Sequence, residues 1–283
     1  MSALPPVAGV IGWPVAHSKS PIIHHFWLEK LGLDGDYARF PVHPDRLGAA
    51  IGALTALGLR GANITVPHKQ AVIPFLDRLH PDAAAIGAVN TVVVEDGGLV
   101  GYNSDAAGFL EPVRRAVQER GLPPGEALIL GAGGAAQAIA YALAGDGFAV
   151  RVVNRDPARA RALVRATGGA GDGADALYDL ACHSRPRLAG AGLNLLVNTT
   201  TLGMVGAPPL AVGLDDVTEG TFVYDIVYVP LETPLLAEAR RRGMPAIDGL
   251  SMLIGQAAIA FQLFYGQPAP REHDAALRAL LIA

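Results

Sequence analysis

The sequence contains little cysteine and little charge. Of its 283 residues one is cysteine, Cys182, and 17% are charged. A single thiol excludes an internal disulfide framework and a metal site built from several cysteines. We therefore interpret Cys182 as an inert thiol in a reducing compartment. An export signal has a charged segment followed by an apolar one at the N-terminus. The sequence lacks this pattern, so we expect a cytoplasmic protein.

Basic segments and membrane anchors are also missing. The 22 basic and 26 acidic residues give a net charge of −4, and the sequence has no basic block that would predict a nucleic-acid partner. Two uncharged runs, 127–145 and 249–270, approach the roughly 20 residues of a membrane span. Both contain glutamine and lack basic flanks or an aromatic belt. We expect no membrane partner and no nucleic acid.

What the sequence does contain is an alternation of short apolar strands with helical patterns. The strands predicted in the first hundred residues are 7–12, 37–41, 62–66, 91–94 and 99–102, the last two joined as a hairpin, with a helix over 46–57. The strands predicted later are 127–130, 148–155, 193–198, 221–226 and 245–247, with a helix over 250–266. Repeated strand–helix winding predicts an α/β protein with a parallel sheet.

A short stretch near the N-terminus, Ser18-Lys19-Ser20-Pro21, has one hydroxyl more than a helix start needs. Ser20 before Pro21 has the form of an N-cap serine followed by proline in the first turn. One serine is enough for a cap, which leaves Ser18 unexplained. Because helix N-termini also attract carboxylates and phosphates, the pair is either a cap or an anion site. This stretch alone favours the cap.

The glycine-rich loop 131–136 matches the dinucleotide-binding pattern G-x-G-x-x-A. In this pattern Gly131 permits a tight turn, Gly133 lets the backbone approach a pyrophosphate, and Ala136 lets helix and strand pack closely. The loop follows a predicted strand and opens a predicted helix, and a second strand ends about 20 residues later, as the motif requires. We therefore predict nucleotide binding rather than a packing turn alone.

The residues after this second strand bear on the choice between NADP and NAD. Arg155 and Arg159 could bind a 2′-phosphate through charge-assisted hydrogen bonds, or they are solvated arginines at a helix start. Asp156 could face the ribose, which would favour NAD, or cap the helix that begins at Pro157. Two cations against one carboxylate predict NADP, with NAD as the alternative.

Eight segments occur in an order that is typical of one enzyme family. They are IGWPVAHSKSP, GANITVPHK, IGAVNTVV, GYNSDAAGF, GAGGAA, NRDPARA, YDIVYVPLETPLL and DGLSMLIGQAAIAF. Together they resemble the shikimate dehydrogenase family, which includes the quinate/shikimate dehydrogenases, through nearly the whole chain. Two departures are Ser104, where threonine is commoner, and Asp156, where many members have threonine.

The resemblance implies a fold and an activity. It implies two domains: an N-terminal α/β substrate domain of residues 1–105, completed by the C-terminal helices of 249–283, and a Rossmann-like, doubly wound NADP-binding domain of residues 106–248. The expected reaction is the reversible NADPH-dependent reduction of 3-dehydroshikimate to shikimate, in chorismate and aromatic amino acid biosynthesis. The alternatives are a quinate/shikimate dehydrogenase that prefers NAD and a non-catalytic relative that senses a ligand. A monomer and a homodimer are both open.

The resemblance also assigns roles to particular residues. Lys69 is expected to stabilise and protonate the alkoxide and Asp105 to hold it; taken alone, they could be a solvated lysine and an N-cap. The expected substrate-binding residues are Ser18, Ser20, Asn63, Thr65, Asn90, Tyr228 and Gln256. The expected cofactor-binding residues are Gly131, Ala132, Gly133, Gly134, Ala135, Asn154, Arg155, Arg159, Thr199 and Gly249. We expect no metal site, because the neighbouring His24 and His25 are not four apart on their helix.

Overall fold

The computed structural model describes residues 4–120, 124–167, 174–176, 193–215 and 217–283. Cys182 lies outside these residues, so its interpretation stays a prediction. The chain divides into two compact units. Unit 1 consists of Met1–Gly108 and Leu253–Ala283, and unit 2 of Phe109–Met252. The assignment of a substrate domain and an NADP domain to parts of the chain also stays a prediction.

The order of strands and helices is that of an α/β protein. The strands are β1 (Val7–Gly12), β2 (Asp36–Pro41), β3 (Gly61–Ile64), β4 (Arg78–Leu79), β5 (Thr91–Glu95), β6 (Gly98–Tyr102), β7 (Glu126–Leu130), β8 (Ala149–Asn154), β9 (Ala174–Ala176), β10 (Leu193–Asn198), β11 (Phe222–Asp225) and β12 (Ala246–Ile247). The helices are α1 (Ser20–Leu31), α2 (Leu47–Ala56), α3 (Pro81–Ile86), α4 (Asp105–Arg120), α5 (Gly134–Gly145), α6 (Pro157–Ala166), α7 (Pro234–Arg241), α8 (Gly249–Tyr265) and α9 (Asp274–Ile282). The helix predicted over 46–57 is confirmed as α2, and Arg46 belongs to a 3-10 turn, Pro44–Arg46, that precedes it.

Unit 1 is built on a six-stranded mixed sheet in the order β2-β1-β3-β5-β6-β4. Successive side chains of a strand point to opposite faces, so Val10 and Ile11 of β1 enter different apolar clusters. Ile11 packs with residues of α2 such as Ile51, whereas Val10 packs with Tyr37 of β2 and Phe264 of α8. The sheet is therefore covered by apolar side chains on both faces.

The register of this sheet brings four chain segments to one edge. β1 and β3 are parallel, so both end there, and the backbone N–H of Thr65 donates to the carbonyl of Ile11 at 2.9 Å. β5 is antiparallel to β3 and places Thr91 opposite Asn63. β6 is antiparallel to β5 and places Tyr102 opposite Thr91. The residues after β1, β3 and β6 and those before β5 therefore lie close together.

Unit 2 has a six-stranded sheet in the order β12-β11-β10-β7-β8-β9, in which every pairing is parallel. From β7 the chain winds outward through β8 and β9, and from β10 it winds in the other direction through β11 and β12. This is the strand order of a doubly wound dinucleotide-binding sheet, whose ligand site lies where the winding reverses. The reversal here lies between β7 and β10. Across the described ranges, no helix is long and apolar enough to cross a membrane.

Candidate active site

The prediction that Ser20 caps α1 is wrong. The helix begins at Ser20 itself, and the preceding residue, Lys19, has a helical backbone and makes no side-chain cap hydrogen bond. Because the helical conformation starts one residue early, a different hydroxyl reaches the free N–H groups. Ser18 Oγ accepts a hydrogen bond from the backbone N–H of Ser20 at 3.3 Å, and its own hydroxyl donates to Ser20 Oγ at 3.2 Å. Both serines are buried.

An ion pair joins the half-buried Lys69, in the turn after β3, to the buried Asp105, the first residue of α4. Lys69 Nζ lies 2.5 Å from Asp105 Oδ2, and the two side chains are 16% and 6% exposed. The turn is held from both sides, since the carbonyl of Lys69 accepts the N–H of Val89 at 2.8 Å and the ring of His68 bonds the carbonyl of Val42. Lys69 is therefore a positioned cation and not a solvated surface lysine.

Asn90 holds the other oxygen of Asp105. Its Nδ2 donates to Asp105 Oδ1 and to Ser104 Oγ, both at 2.9 Å, while its Oδ1 accepts the N–H of Ser104 at 2.7 Å. Asn103 caps the N-terminus of α4, since its Oδ1 accepts the N–H of Ala106 at 3.3 Å. Asp105 thus directs its two oxygens to Asn90 and Lys69 and is not the cap of its helix.

Two residues that sequence reasoning missed, Tyr37 and Thr91, extend this network. The Tyr37 hydroxyl donates to Asn63 Oδ1 at 2.6 Å and is also hydrogen-bonded by Ser20. Asn63 Nδ2 donates to Thr91 Oγ1 at 3.0 Å, which in turn donates to Asn90 Oδ1 at 3.1 Å. Burial raises the pKa of Tyr37 well above its usual value, so the phenol stays protonated and can donate. A continuous hydrogen-bonded chain therefore runs from the serine pair to Lys69.

A tyrosine in a strand that alternates buried and exposed positions is the signal that could have found Tyr37. A buried phenol hydroxyl usually has a hydrogen-bond partner, and β2 lies beside β1, whose following loop contains the serines. The partner itself is not readable from the sequence, because Asn63 is 26 residues away and lies on another strand.

Thr65 follows β3, and Gln256 lies in α8. Thr65 is half-buried, and its methyl group packs so closely on Gly12 that a Cβ there would lie 2.4 Å from it. In the same way, a Cβ on Gly108 would lie 2.4 Å from the backbone nitrogen of Gln256, so α8 packs tightly against the start of α4. The amide of Gln256 donates to the carbonyl of Leu253 at 2.9 Å. Their substrate-binding roles stay predictions.

The glycine loop of unit 2 has the geometry that a pyrophosphate site needs. Gly131 has a φ of +110°, and a Cβ on it would lie 2.6 Å from Thr199 Oγ1. Thr199 follows β10 and donates to the carbonyl of Leu130 at 2.7 Å. A Cβ on Gly133, by contrast, would meet open space among the described residues, and Gly133 precedes α5 with no side-chain cap. The first N–H groups of α5 thus fit an anion.

Three of the remaining predicted cofactor residues belong to this loop or to the helix after it. Ala132 is half-buried, and Gly134 and Ala135 are the first residues of α5. Gly249 begins α8, where a Cβ would lie 2.3 Å from the carbonyl oxygen of Ile226, so only glycine fits there. Tyr228, predicted to bind substrate, is half-buried and follows β11 in unit 2. The ligand roles of these residues stay predictions.

The carboxylate of Asp156 is turned toward its own helix. Its Oδ1 accepts the N–H of Ala158 at 2.9 Å, so the alternative in which it caps α6 is confirmed. Asp156 Oδ2 lies 3.7 Å from Arg159 Nε, and the Arg159 side chain is 75% exposed. Asn154, at the end of β8, donates through Nδ2 to the carbonyl of Asp156 at 3.0 Å. Arg155 is exposed. In the described parts of the chain, no cluster of three or more His, Cys, Asp or Glu side chains could hold a metal ion.

A parallel sheet with a glycine loop where its winding reverses, together with an α/β unit that contains a lysine–aspartate ion pair, is the architecture of a two-domain, dinucleotide-dependent dehydrogenase. Residues 10–92 match the shikimate dehydrogenase substrate binding domain, and residues 249–276 match the shikimate 5′-dehydrogenase C-terminal domain. The chain is 48% identical to the shikimate dehydrogenase (NADP(+)) of Rhodospirillum rubrum, over 98% of this chain and 96% of that protein. It belongs to the shikimate dehydrogenase family.

Two solved structures illustrate the range of ligands among similar folds. Shikimate 5-dehydrogenase of Thermus thermophilus, in complex with NADP(H) and shikimate, is 38% identical with a TM-score of 0.79, over 97% of this chain and 99% of that one. Quinate dehydrogenase of Corynebacterium glutamicum, in complex with NAD, is 32% identical with a TM-score of 0.82, over 98% of this chain and 100% of that one. Proteins of this fold therefore include a shikimate dehydrogenase with NADP(H) and a quinate dehydrogenase with NAD.

Proposed function

We propose that this chain catalyses the reversible NADPH-dependent reduction of 3-dehydroshikimate to shikimate, a step in aromatic amino acid biosynthesis through chorismate. The observation that carries the proposal is the ion pair of Lys69 and Asp105, 2.5 Å apart and largely shielded from water, in the same hydrogen-bonded network as the serine pair. The family and the names of its relatives support it. The intact pair argues against a non-catalytic, ligand-sensing relative.

Lys69 supplies the positive charge that stabilises the transition state and the proton that completes the reaction. When bound, the nicotinamide supplies the hydride that reduces the ring ketone. The ammonium of Lys69 stabilises the negative charge that develops on the ketone oxygen and then transfers a proton from Nζ to it, which forms the hydroxyl. Asp105 uses one of the three N–H groups of the ammonium and fixes the direction of the other two.

The remaining residues of unit 1 bind the polar groups of the substrate. Ser18 and Ser20 can turn their hydroxyl protons from protein acceptors to the substrate carboxylate, since a hydroxyl both donates and accepts. Asn63 uses its Nδ2 on Thr91 and on the carbonyl of Asn90. It therefore offers a substrate hydroxyl an acceptor, the second lone pair of Oδ1. Thr65, Asn90 and Gln256 complete the substrate set of this unit, and Tyr228, which belongs to unit 2, is assigned to the substrate by the family resemblance alone.

The residues after β8 favour NADP over NAD. Because Asp156 caps α6, its carboxylate is engaged away from a ribose hydroxyl. Arg155 and Arg159 then leave the site with a net positive charge for a 2′-phosphate. The shikimate dehydrogenase (NADP(+)) relatives support this preference. The single cysteine supports a cytoplasmic location, and a monomer or a homodimer is compatible with the proposal.

Steady-state rates of oxidation test the proposal. Shikimate and quinate are each measured with NADP+ and with NAD+, and we expect the highest kcat/KM for shikimate with NADP+. A higher kcat/KM for quinate with NAD+ would assign the chain to the quinate-oxidising alternative. Binding of shikimate without turnover under all four conditions would identify a ligand sensor.

A further inference from the structure

A cation that has none of the roles above lies beside the serine pair. Arg39 Nε and Nη2 both donate to the carbonyl oxygen of Ser18, at 3.0 and 2.6 Å. A planar guanidinium that places two N–H groups on one oxygen fixes the direction of that carbonyl. The N–H of Ser18 donates to the carbonyl of Val15 at 3.0 Å. The side chain of Ser18 is hydrogen-bonded to Ser20. Every polar group of Ser18 therefore has a hydrogen-bond partner.

Strand β2 carries Arg39 to this place. Residues two apart in a strand share a face, so Arg39 lies on the same face as Tyr37. Tyr37 contacts Ser20 and Asn63 through its hydroxyl, and Arg39 contacts Ser18. One strand thus supplies a partner to each of the two serines.

Arg39 is exposed and forms no ion pair with the other residues that the structure describes. The Lys69 ammonium is paired with Asp105, and the Lys19 ammonium donates to the carbonyl of Leu281. Among the residues that the structure describes, Arg39 is bonded only to the carbonyl of Ser18 and not to a carboxylate. Two of its five N–H groups are used there, which leaves three and the full positive charge.

We propose that Arg39 is a specificity-determining residue, which holds Ser18 in place and supplies the positive charge that selects an anionic carboxylate over a neutral group at the serine pair. This inference rests on the proposed function, in which the serines bind the carboxylate of shikimate. Hydroxyl groups donate to neutral oxygens as well as to charged ones, although more strongly to the charged ones, whereas Coulomb attraction acts on the charged ligand alone. Arg39 therefore adds to the discrimination that the serines provide.

Substitutions that separate charge from geometry test the proposal. Arg39→Gln removes the charge, and Arg39→Lys keeps the charge but loses the planar fork. Arg60→Gln is the matched control, because Arg60 precedes β3 and its N–H bonds the carbonyl of Val7, at the opposite end of the strands from the serines. The ligands are shikimate and its neutral methyl ester, with KM and kcat measured for shikimate and competitive binding for the ester.

We expect Arg39→Gln to raise the KM for shikimate about 3-fold, because Arg39 is exposed and water weakens the attraction between exposed charges. The kcat and the KM for NADP+ should stay near the wild-type values, and the affinity for the methyl ester should fall less than the affinity for shikimate. Arg39→Lys should raise the KM less, and the salt dependence of KM should persist in the Lys variant and flatten in the Gln variant, because salt screens the attraction.

Two results would overturn the proposal. One is a KM for shikimate in Arg39→Gln equal to that of Arg60→Gln. The other is an equal loss of affinity for shikimate and for its ester, since Arg39 would then only maintain the shape of the loop. If the wild-type protein does not oxidise shikimate, the proposed function fails, and calorimetric affinities for the two ligands then decide the role of Arg39 separately.

Discussion

Ser18 Oγ accepts the backbone N–H of Ser20 at 3.3 Å, while the Ser20 hydroxyl is bonded to the Tyr37 hydroxyl. The two serines are therefore not equivalent. Ser18 binds a free N–H group at the N-terminus of α1. Ser20 connects the pair to the buried network that leads to Asp105. Substitutions of the two residues should have different consequences for stability and similar consequences for substrate binding.

Ser18→Ala should lower the free energy of unfolding by about 1 kcal/mol, the usual effect of losing a side chain that caps a helix. Ser20→Ala removes no bond to a free helical N–H and should cost less. Both should weaken shikimate by about 1–3 kcal/mol, because its carboxylate loses a donor. Denaturant unfolding and calorimetric titration measure the two effects. Equal stability of the two variants would contradict the asymmetry.

Lys69→Ala should lower kcat by on the order of 100-fold or more, as the loss of one preorganised donor to a developing oxyanion does. The affinity for shikimate should change far less, because the interaction is strongest in the transition state. Lys30→Ala is the control, since Lys30 belongs to α1 and its ammonium lies over the ring of Phe26, 5.3 Å from the centroid. Near-normal turnover of Lys69→Ala would remove this lysine from the mechanism.

Gly131→Ala and Gly133→Ala should separate folding from cofactor binding. At Gly131 the φ of +110° and the nearby Thr199 hydroxyl make a side chain costly, so this variant should have a lower Tm. Gly133 has a φ of −89° and open space around it, so alanine should leave the Tm unchanged. If the open space accommodates the pyrophosphate, Gly133→Ala should nevertheless raise the KM for NADP+. An unchanged KM would place the pyrophosphate elsewhere.

Arg155→Ala should reduce the preference for NADP+ over NAD+ by roughly 1.5–3 kcal/mol, typical of a hydrogen bond to a charged group, and leave activity with NAD+ nearly intact. Asp156→Ala tests the other side of the same turn. Because Asp156 caps α6, this variant should lose about 1 kcal/mol of stability and keep its cofactor preference. The comparison is kcat/KM with each cofactor. A gain for NADP+ in Asp156→Ala would mean that the carboxylate does reach the ribose.

The buried ring of His24 should make the protein sensitive to acid. It stacks on Tyr37 with ring centroids 3.9 Å apart, and among the described residues neither of its nitrogens has a hydrogen-bond partner. Burial lowers the pKa of His24 to about 3. Between this value and the usual 6.5 the unfolded chain binds a proton that the folded chain does not, so stability falls as the pH falls through that window.

His24→Phe should flatten this dependence, because phenylalanine keeps an aromatic ring on Tyr37 and binds no proton. The free energy of unfolding is measured with denaturant between pH 4 and pH 7. Its loss on acidification should be smaller in the variant than in the wild type, by up to roughly 1 kcal/mol per pH unit. Identical slopes for the two proteins would mean that His24 titrates normally in the folded state.

The strands and the local motifs were predictable from the sequence, because they depend on neighbouring residues. The apolar run 127–130 forms the last four residues of β7, since a strand buried on both faces is continuously apolar. The glycine loop likewise lies between β7 and α5 as predicted. Each of these patterns is complete within one strand, turn or helix.

The network around Lys69 could not be predicted in the same way. The contact of Tyr37 with Asn63 depends on the order of β2, β1 and β3 in the sheet, which the residues of one segment do not encode. The misplaced cap at Ser20 has a different cause. Whether a helix begins at Ser20 or one residue later depends on the backbone of Lys19, and the side chains there are compatible with both.

The interrupted course of unit 1 has a consequence for synthesis on the ribosome. Chains emerge from the N-terminus and domains fold as units, so all of unit 2 is available before Leu253–Ala283 is made. Phe261 and Phe264 belong to this late segment and pack on His24 and Tyr37. Until they arrive, the aromatic side chains behind the serine pair face water in the nascent protein. That interval is when a chaperone would be expected to engage it.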